Sequence, residues 1–266
     1  MRIVLGIGAA ISLAAIVVHA GDPALPLTVT GYNADIVAEG SDTAANTTTP
    51  FDYQGNVFYD STYDAAHGNN GGALPSGQTI TDGDGNQYNL ASATGNNALV
   101  ISSDNNSGTF GVSYADNASL TGLLLLGTSA DGDTILDYTL NFVGGTTASG
   151  SFTLANWYNP SASGTFNSMG RVGQFDQYNG ETGRAFSLYT AGFDIPEEDV
   201  LLRLDSITLT YDEGNVGNGG IFPTAAILGV SAFDPVVPVP EPTTGSLAIC
   251  GALALAAAAG RKFFKS

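Results

Sequence analysis

The feature that most constrains the fold of this chain is a series of short segments in which apolar and polar residues alternate. Residues 136–142 alternate in this way, Gly144 and Gly145 interrupt the pattern, and residues 152–154 resume it. Alternation with a period of two places the apolar side chains on one face of a strand. Glycines between two such runs are typical of a hairpin. We therefore predict a β-hairpin with one buried face.

Further segments predict more strands, separated by clusters of Asn, Asp and Gly. Residues 110–114 alternate, and residues 120–126 form a continuous apolar run that is typical of a central strand. Leu228, Val230 and Ala232 alternate with other residues in the last predicted strand.

Two local features refine this pattern. The alternation changes phase between residues 202–204 and 207–211, which predicts a bulge or bend near Asp205 and Ser206. Residues 196–199 combine a proline with three acids and predict a single helical turn before a strand. Because no long stripe of period 3.6 occurs between residues 21 and 236, we expect an all-β protein built as an antiparallel β-sandwich.

The N-terminus has the layout of a secretory signal peptide. Arg2 precedes an apolar run over residues 3–18, and small residues at 18 and 20 suit cleavage between Ala20 and Gly21. An uncleaved N-terminal anchor is the alternative. Cleavage would leave an exported domain over residues 21–234.

The C-terminus has the layout of a membrane stop. A proline-rich linker over residues 235–242 leads to an Ala/Leu/Gly-rich segment over residues 243–260 and then to a tail over residues 261–266 that contains Arg261, Lys262 and Lys265. An 18-residue helix is about 27 Å long at ~1.5 Å per residue, close to the bilayer core of roughly 30 Å. Basic residues after such a segment hold that end on the cytoplasmic side. An Ala-rich helix docked on the domain surface is the alternative.

These C-terminal residues resemble a known sorting signal. Val239, Pro240, Glu241 and Pro242, followed by the apolar segment and the basic tail, closely resemble the PEP-CTERM signal of Gram-negative, exopolysaccharide-producing bacteria. The resemblance covers about residues 238–266. It implies a single-pass membrane precursor that an exosortase-type enzyme recognises and trims, with the protein then held at the cell surface or in the extracellular (biofilm) matrix.

The exported domain carries a looser resemblance. Residues 74–77, 95–99, 151–158 and 206–209 are similar to the pattern of a jelly-roll, galactose-binding-like domain that is common among PEP-CTERM proteins. This resemblance implies a jelly-roll arrangement of the sandwich.

Charge limits the classes of molecule that this chain can bind, and cysteine content limits its disulfides. Residues 21–242 carry 25 acids and three arginines, a formal charge of −22. Like charge makes nucleic acid and anionic lipid poor partners, whereas a surface rich in Asn, Ser, Thr and Gly suits hydrated polysaccharide or serves solubility alone. The single cysteine, Cys250, lies in the apolar tail, so we expect no disulfide in the domain.

Groups for catalysis are scarce. Once His19 leaves with the signal peptide, His67 is the remaining histidine, in what we predict to be a flexible loop. The exported domain has no lysine and no cysteine nucleophile. We therefore expect a non-catalytic protein, structural or carbohydrate-binding. The alternative is a glycan hydrolase or lyase that uses two carboxylates.

Two motifs have the residue types of a binding site. Asp82, Asp84 and Asn86 offer alternating oxygen ligands for calcium, although the same Asp-Gly pairs favour a tight hairpin turn. Trp157 and Tyr158 stand in a polar stretch and are a candidate glycan contact, because aromatic faces beside polar groups bind sugars. The alternative is that Trp157 packs at the edge of the sandwich.

Overall fold

The strands of this chain form a mostly antiparallel β structure. A computed structural model describes residues 23–68, 71–114, 119–159, 164–173, 176, 186–215 and 221–233. Its helices are α1 (Ala44–Thr47) and α2 (Ser61–Ala66). Its strands are β1 (Leu25–Pro26), β2 (Thr28–Thr30), β3 (Val37–Ala38), β4 (Asn56–Tyr59), β5 (Thr79–Thr81), β6 (Gln87–Asn89), β7 (Leu99–Ile101), β8 (Ser107–Ser113), β9 (Gly122–Ala130), β10 (Thr134–Phe142), β11 (Thr147–Leu154), β12 (Phe166–Met169), β13 (Arg171–Gly173), β14 (Phe186–Asp194), β15 (Leu204–Tyr211) and β16 (Thr224–Phe233).

Two large sheets face each other, as the predicted sandwich requires. One has the order β1-β16-β9-β14-β12, with β7 also paired to β16, and the other has the order β11-β10-β15-β8-β2. Buried side chains of both sheets, among them Leu125, Phe110 and Ile207, form one core between them. The all-β, sandwich-like prediction is therefore confirmed, while the jelly-roll arrangement stays a prediction.

Strand β9 is the centre of the six-stranded sheet and is buried along its whole length. Leu123 and Leu125 point into the core between the two sheets. Leu124 and Leu126 point into a second core on the opposite face. Burial on both faces is what a continuous apolar run predicts, so the central position expected for residues 120–126 is confirmed.

A third layer, which the sequence pattern did not reveal, covers this opposite face. It consists of the sheet β13-β4-β3 and the two short helices, and it contributes Val37, Phe58 and Tyr63 to the second core. Strands β3 and β4 are parallel, an exception to the antiparallel prediction. Helices of four and six residues are too short to show a 3.6-residue stripe. The sequence pattern therefore predicted only the helical turn at 196–199 and missed both helices.

The predicted hairpin is present. Strands β10 and β11 pair without a register shift from Thr134 opposite Leu154 to Asn141 opposite Thr147. The predicted bulge is present as well: Asn141 lies opposite Ser206 and Phe142 opposite Leu204, so Asp205 is the extra residue of β15. Residues 196–199 close a turn in which the Asp199 N–H donates to the Pro196 carbonyl at 2.8 Å.

Strand β16 differs from the prediction in one respect. Ile227 lies opposite Gly127 and Gly229 opposite Leu126, so Leu228 is an extra residue in this strand. A bulge reverses the phase of the side chains. As a result Leu228 lies in the second core, whereas Val230 and Ala232 lie between the two large sheets.

The loop predicted around His67 is wrong. His67 ends helix α2, and its ring stacks on Tyr63 with centroids 4.0 Å apart. Asp60 begins this helix because its carboxylate accepts hydrogen bonds from the Thr62 and Tyr63 N–H groups. With six residues, this helix is too short to show a helical period in the sequence.

The predicted targeting segments lie outside the described residues. They are the signal peptide over residues 1–20, the linker over residues 235–242, the apolar segment over residues 243–260 and the basic tail over residues 261–266. Within the described ranges, neither helix has the length and apolar character that a membrane crossing needs.

Candidate functional site: an exposed rim beside a buried arginine

The candidate site is built on a tight turn between Phe51 and strand β4. The Asp52 carboxylate accepts hydrogen bonds from the Gln54 N–H at 2.9 Å and from the Asn56 N–H at 2.7 Å. An aspartate that binds the backbone ahead of it in this way stabilises a turn. Gly55 completes the turn at φ 78°, a backbone conformation that favours glycine. The turn projects Tyr53 outward, with 64% of its surface exposed.

Arg171 fixes this turn from the inside. Its guanidinium Nη1 donates to Asp52 Oδ2 at 3.1 Å, and the two side chains are only 14% and 3% exposed. The guanidinium also lies 4.4 Å from the centre of the Phe186 ring and 5.4 Å from that of Trp157. A cation over desolvated aromatic faces is attracted by the ring quadrupoles. Charge pairing and ring contacts therefore hold β13 against the start of β4.

Trp157 belongs to this interior. Its side chain is 2% exposed, and its ring meets those of Phe51 and Phe58 edge-on, at 5.0 and 5.3 Å between centroids. Tyr158 is half-buried, 6.0 Å from the Phe186 ring. The structure thus places Trp157 in the core, as the packing alternative expected, and its ring offers no face to a sugar in this arrangement.

We call Tyr53, Gln54, Asp131 and Phe222 the rim, because Asp131 bonds to the turn that carries Tyr53 and its neighbour Gly132 lies next to Pro223, which follows Phe222. Asp131 Oδ2 accepts a hydrogen bond from the Tyr53 N–H at 2.9 Å, and the Tyr53 hydroxyl accepts one from Gln54 Nε2 at 3.0 Å. Asp131 adopts φ 63°, a left-handed conformation uncommon outside glycine and tolerated best by Asp and Asn. Burial raises the pKa of the Asp131 carboxyl, the Tyr53 N–H lowers it, and the Asp52 charge raises it again.

The second aromatic ring of the rim comes from the segment before β16. Phe222 is 46% exposed. It precedes Pro223, whose ring lies so close to Gly132 that a Cβ atom at Gly132 would meet it at 3.6 Å. Asp131 and Gly132 therefore connect the two aromatic residues. Exposed ring faces beside a carboxylate and an amide are the groups that bind the C–H faces and hydroxyl edges of a sugar.

The sequence contained a usable signal for Tyr53 but a weak one for the rest of the rim. An aromatic residue between Asp52 and Gly55 stands in a turn, where side chains project outward. Phe222 and Asp131 come together only through the pairing of β16 with β9, which no local pattern reveals.

A second group of carboxylates lies beside helix α2. Burial raises the pKa of Glu39 to about 7, and the charges of Asp35 and Asp60 raise it in the same direction. Glu39 Oε2 is buried without a hydrogen-bond partner. Asp60 binds the helix N-terminus and the Ser76 hydroxyl, and Asp35 Oδ1 accepts from Asn97 Nδ2 at 2.6 Å. Both neighbours of Glu39 therefore hold structural hydrogen bonds.

The residues of the calcium motif close the hairpin between β5 and β6. Asp82 Oδ1 accepts from the N–H groups of Asp84 and Asn86, each at 2.9 Å. Asn86 donates to Asp82 Oδ2 at 3.0 Å and accepts from the Ala24 N–H at 3.0 Å. The side-chain oxygens of Asp82 and Asn86 thus satisfy backbone and amide donors, in agreement with the turn alternative, while Asp84 is exposed and contributes its N–H to the turn. Across the described ranges, no three His, Cys, Asp or Glu side chains are grouped as a metal site.

No protein-family model matches the chain, and no curated protein matches it at a significant level.

Replacing Arg171 with alanine should destabilise the domain strongly. The change leaves Asp52 buried without its cation, and such a loss costs about 3–5 kcal/mol. Urea unfolding followed by fluorescence of Trp157, which lies against Arg171, measures the loss. Arg203→Ala, at an exposed residue, is the matched control and should cost less than about 1 kcal/mol. Equal losses in the two variants would contradict the structural role of the pair.

Replacing Glu39 with glutamine should remove a pH dependence of stability. The folded pKa of about 7 exceeds the ordinary value of 4.5. The protonated carboxyl therefore stabilises the fold below pH 4.5, and this contribution is lost as the pH rises through 7. Glutamine mimics the protonated form, so Glu39→Gln should match the natural protein at pH 4.5 and melt higher at pH 8. Solvent screening limits the difference to roughly 2–4 °C.

Thermal unfolding at both pH values tests this, with Glu197→Gln, at an exposed residue of the turn 196–199, as the control. A melting difference between Glu39→Gln and the natural protein that is the same at pH 4.5 and pH 8 would refute the assignment.

Proposed function

We propose that this chain is an exported, non-catalytic β-sandwich protein that is sorted to the cell surface or the extracellular polysaccharide matrix. The observation that carries the proposal is the order of its C-terminal residues: Pro240, Glu241 and Pro242, an apolar segment, and a basic end. The last described strand ends at Phe233, two residues before the proline-rich linker begins at residue 235. Proline-rich sequences generally act as semi-rigid spacers, a property suited to separating a folded cargo from its sorting signal.

At its destination, the domain binds matrix polysaccharide through the rim. The strongly acidic composition argues against polyanionic partners. A neutral or hydroxyl-rich glycan meets less repulsion, and the exposed rings of Tyr53 and Phe222 supply apolar faces for it. Asp131 and Gln54 supply polar groups next to those rings.

A carboxylate-dependent glycan hydrolase or lyase is the second candidate, and Glu39 is the observation that favours it. A glutamate with a pKa of about 7 is suited to general-acid work near neutral pH. A glycosidase needs a second, available carboxylate, whereas Asp35 and Asp60 hold structural hydrogen bonds. Release of sugar from matrix polysaccharide that disappears in Glu39→Gln would favour the enzyme over the binding protein.

Replacing Pro240 and Glu241 with alanine should prevent removal of the tail. The resemblance assigns these residues to recognition by the processing enzyme, so the variant should keep the mass of residues 21–266 when it is recovered from an exosortase-producing host. Intact-mass spectrometry measures this. Pro238→Ala, in the same linker and before the motif, is the control and should be processed normally. Unchanged processing of the Pro240/Glu241 variant would exclude the proposed sorting signal.

Replacing Tyr53 and Phe222 with alanine should weaken binding to matrix polysaccharide. Exposed aromatic anchors dominate many binding surfaces, and we expect the dissociation constant to rise roughly tenfold. Retardation in gels that contain the polysaccharide measures binding. Leu201→Ala removes an apolar side chain that is even more exposed, at 86%, from a turn that does not belong to the rim, and it should leave binding unchanged. If both variants bind like the natural protein, the rim is not the glycan site.

A further inference from the structure

Strand β11 forms one edge of the five-stranded sheet. It pairs with β10 over its full length, and no other described strand pairs with it. Every second residue is exposed: Thr147, Ser149, Ser151 and Thr153. An edge of this kind presents a row of backbone groups that can pair with another strand.

The register shows which backbone groups face outward. The Phe142 N–H donates to the Thr146 carbonyl at 2.9 Å at the start of the hairpin. In an antiparallel ladder, directly bonded pairs alternate with pairs that point away from each other. The even-numbered residues of β11 therefore bond to β10, and the odd-numbered ones direct their N–H and C=O groups toward the open edge.

This edge lacks the features by which proteins usually block strand pairing. Edges are protected by charge, proline, bulges or short length, and β11 has eight residues, no charged residue, no proline and no register shift. Gly150 does not interrupt the strand: its pairing with Tyr138 is in register, and the Tyr138 side chain packs over it. The other described edge strands of the two large sheets are short or irregular: β1 contains Pro26, β2 and β7 have three residues each, and β12 is irregular.

The charge distribution favours a second copy as the occupant. The chain is strongly acidic, yet β11 is neutral, and the nearest exposed carboxylate on β10 is Asp137, opposite Ser151. In a pair of β11 edges, the two β10 strands would be three strand spacings apart, about 14 Å. The screening length is ~8 Å at physiological salt. Because this is shorter than the separation of the two β10 strands, the carboxylates of the two copies would repel each other weakly.

We propose that two copies of this protein associate edge to edge through antiparallel pairing of their β11 strands. The same strand on both copies supplies the interface, as in an isologous dimer. Thr and Ser side chains then lie opposite Thr and Ser, a favourable cross-strand combination. The inference does not depend on the glycan or on the sorting signal.

Sedimentation of the full chain in a mild non-ionic detergent tests the proposal. The dimer should form at physiological salt. It should weaken at 0.01 M salt, because the screening length is then ~30 Å and the carboxylates of the two copies repel each other over a longer distance. Ser149→Lys should raise the dimer dissociation constant roughly tenfold or more, because the two new charges lie close together across the edge. Ser151→Pro removes an outward N–H without removing a bond to β10 and should act likewise.

Thr210→Lys is the matched control. It adds the same charge to the same sheet, at an exposed residue of β15, which is flanked by β10 and β8. Dimer retained in this variant and lost in the two edge variants, with unchanged circular dichroism, supports the proposal. A monomeric natural protein at physiological salt overturns it. Dimer that survives Ser149→Lys, or that Thr210→Lys disrupts equally, also overturns it.

Discussion

The structure depends on the burial of the six-stranded sheet on both faces. Strand β9 supplies side chains alternately to the core between the large sheets and to the core beneath the third layer. On either face of a sheet covered on both sides, a buried polar side chain lowers stability unless it is hydrogen-bonded. In β9 the Ser129 hydroxyl donates to the Gly132 carbonyl at 2.6 Å, whereas the Thr128 hydroxyl is buried without a hydrogen-bond partner. The six-stranded sheet thus positions both the five-stranded sheet and the third layer, which pack on its two faces.

The third layer links the buried six-stranded sheet to the surface turn that carries Tyr53. Its own strands are short, and a three-stranded sheet of this size has little stability alone. Arg171 connects it to the core through Asp52 and through the faces of Trp157 and Phe186. The same Asp52 holds the turn that exposes Tyr53. A buried charge and an exposed ring are therefore parts of one local structure.

Local patterns predicted β8, β9, β10, β11, β15 and β16, including the hairpin and the bulge at Asp205, but not the nine-residue β14 or the shorter strands of the two large sheets. They also failed for the third layer, because two- to four-residue strands and helices of four and six residues are too short to show a period. They gave the wrong face for Leu228 as well, since a bulge changes the phase without changing the composition.

The candidate site was harder to predict from sequence. Trp157 is an aromatic residue in a polar stretch, a pattern that fits both a surface platform and a packed residue. Its burial follows from contacts with Phe51 and Phe58, which lie about a hundred residues earlier in the chain. Asp131 likewise acquires its role from the Tyr53 N–H. Long-range packing, which determines such sites, leaves no trace in a local pattern.

The position of β16 has a mechanical consequence. This strand is both the last of the described domain and an interior member of its largest sheet, bonded to β9 along one side and to β1 and β7 along the other. Any tension that reaches the domain through the chain beyond Phe233 enters at this strand. It must then rupture hydrogen bonds on two flanks before the domain yields, so the domain resists extraction at the point where the linker joins it.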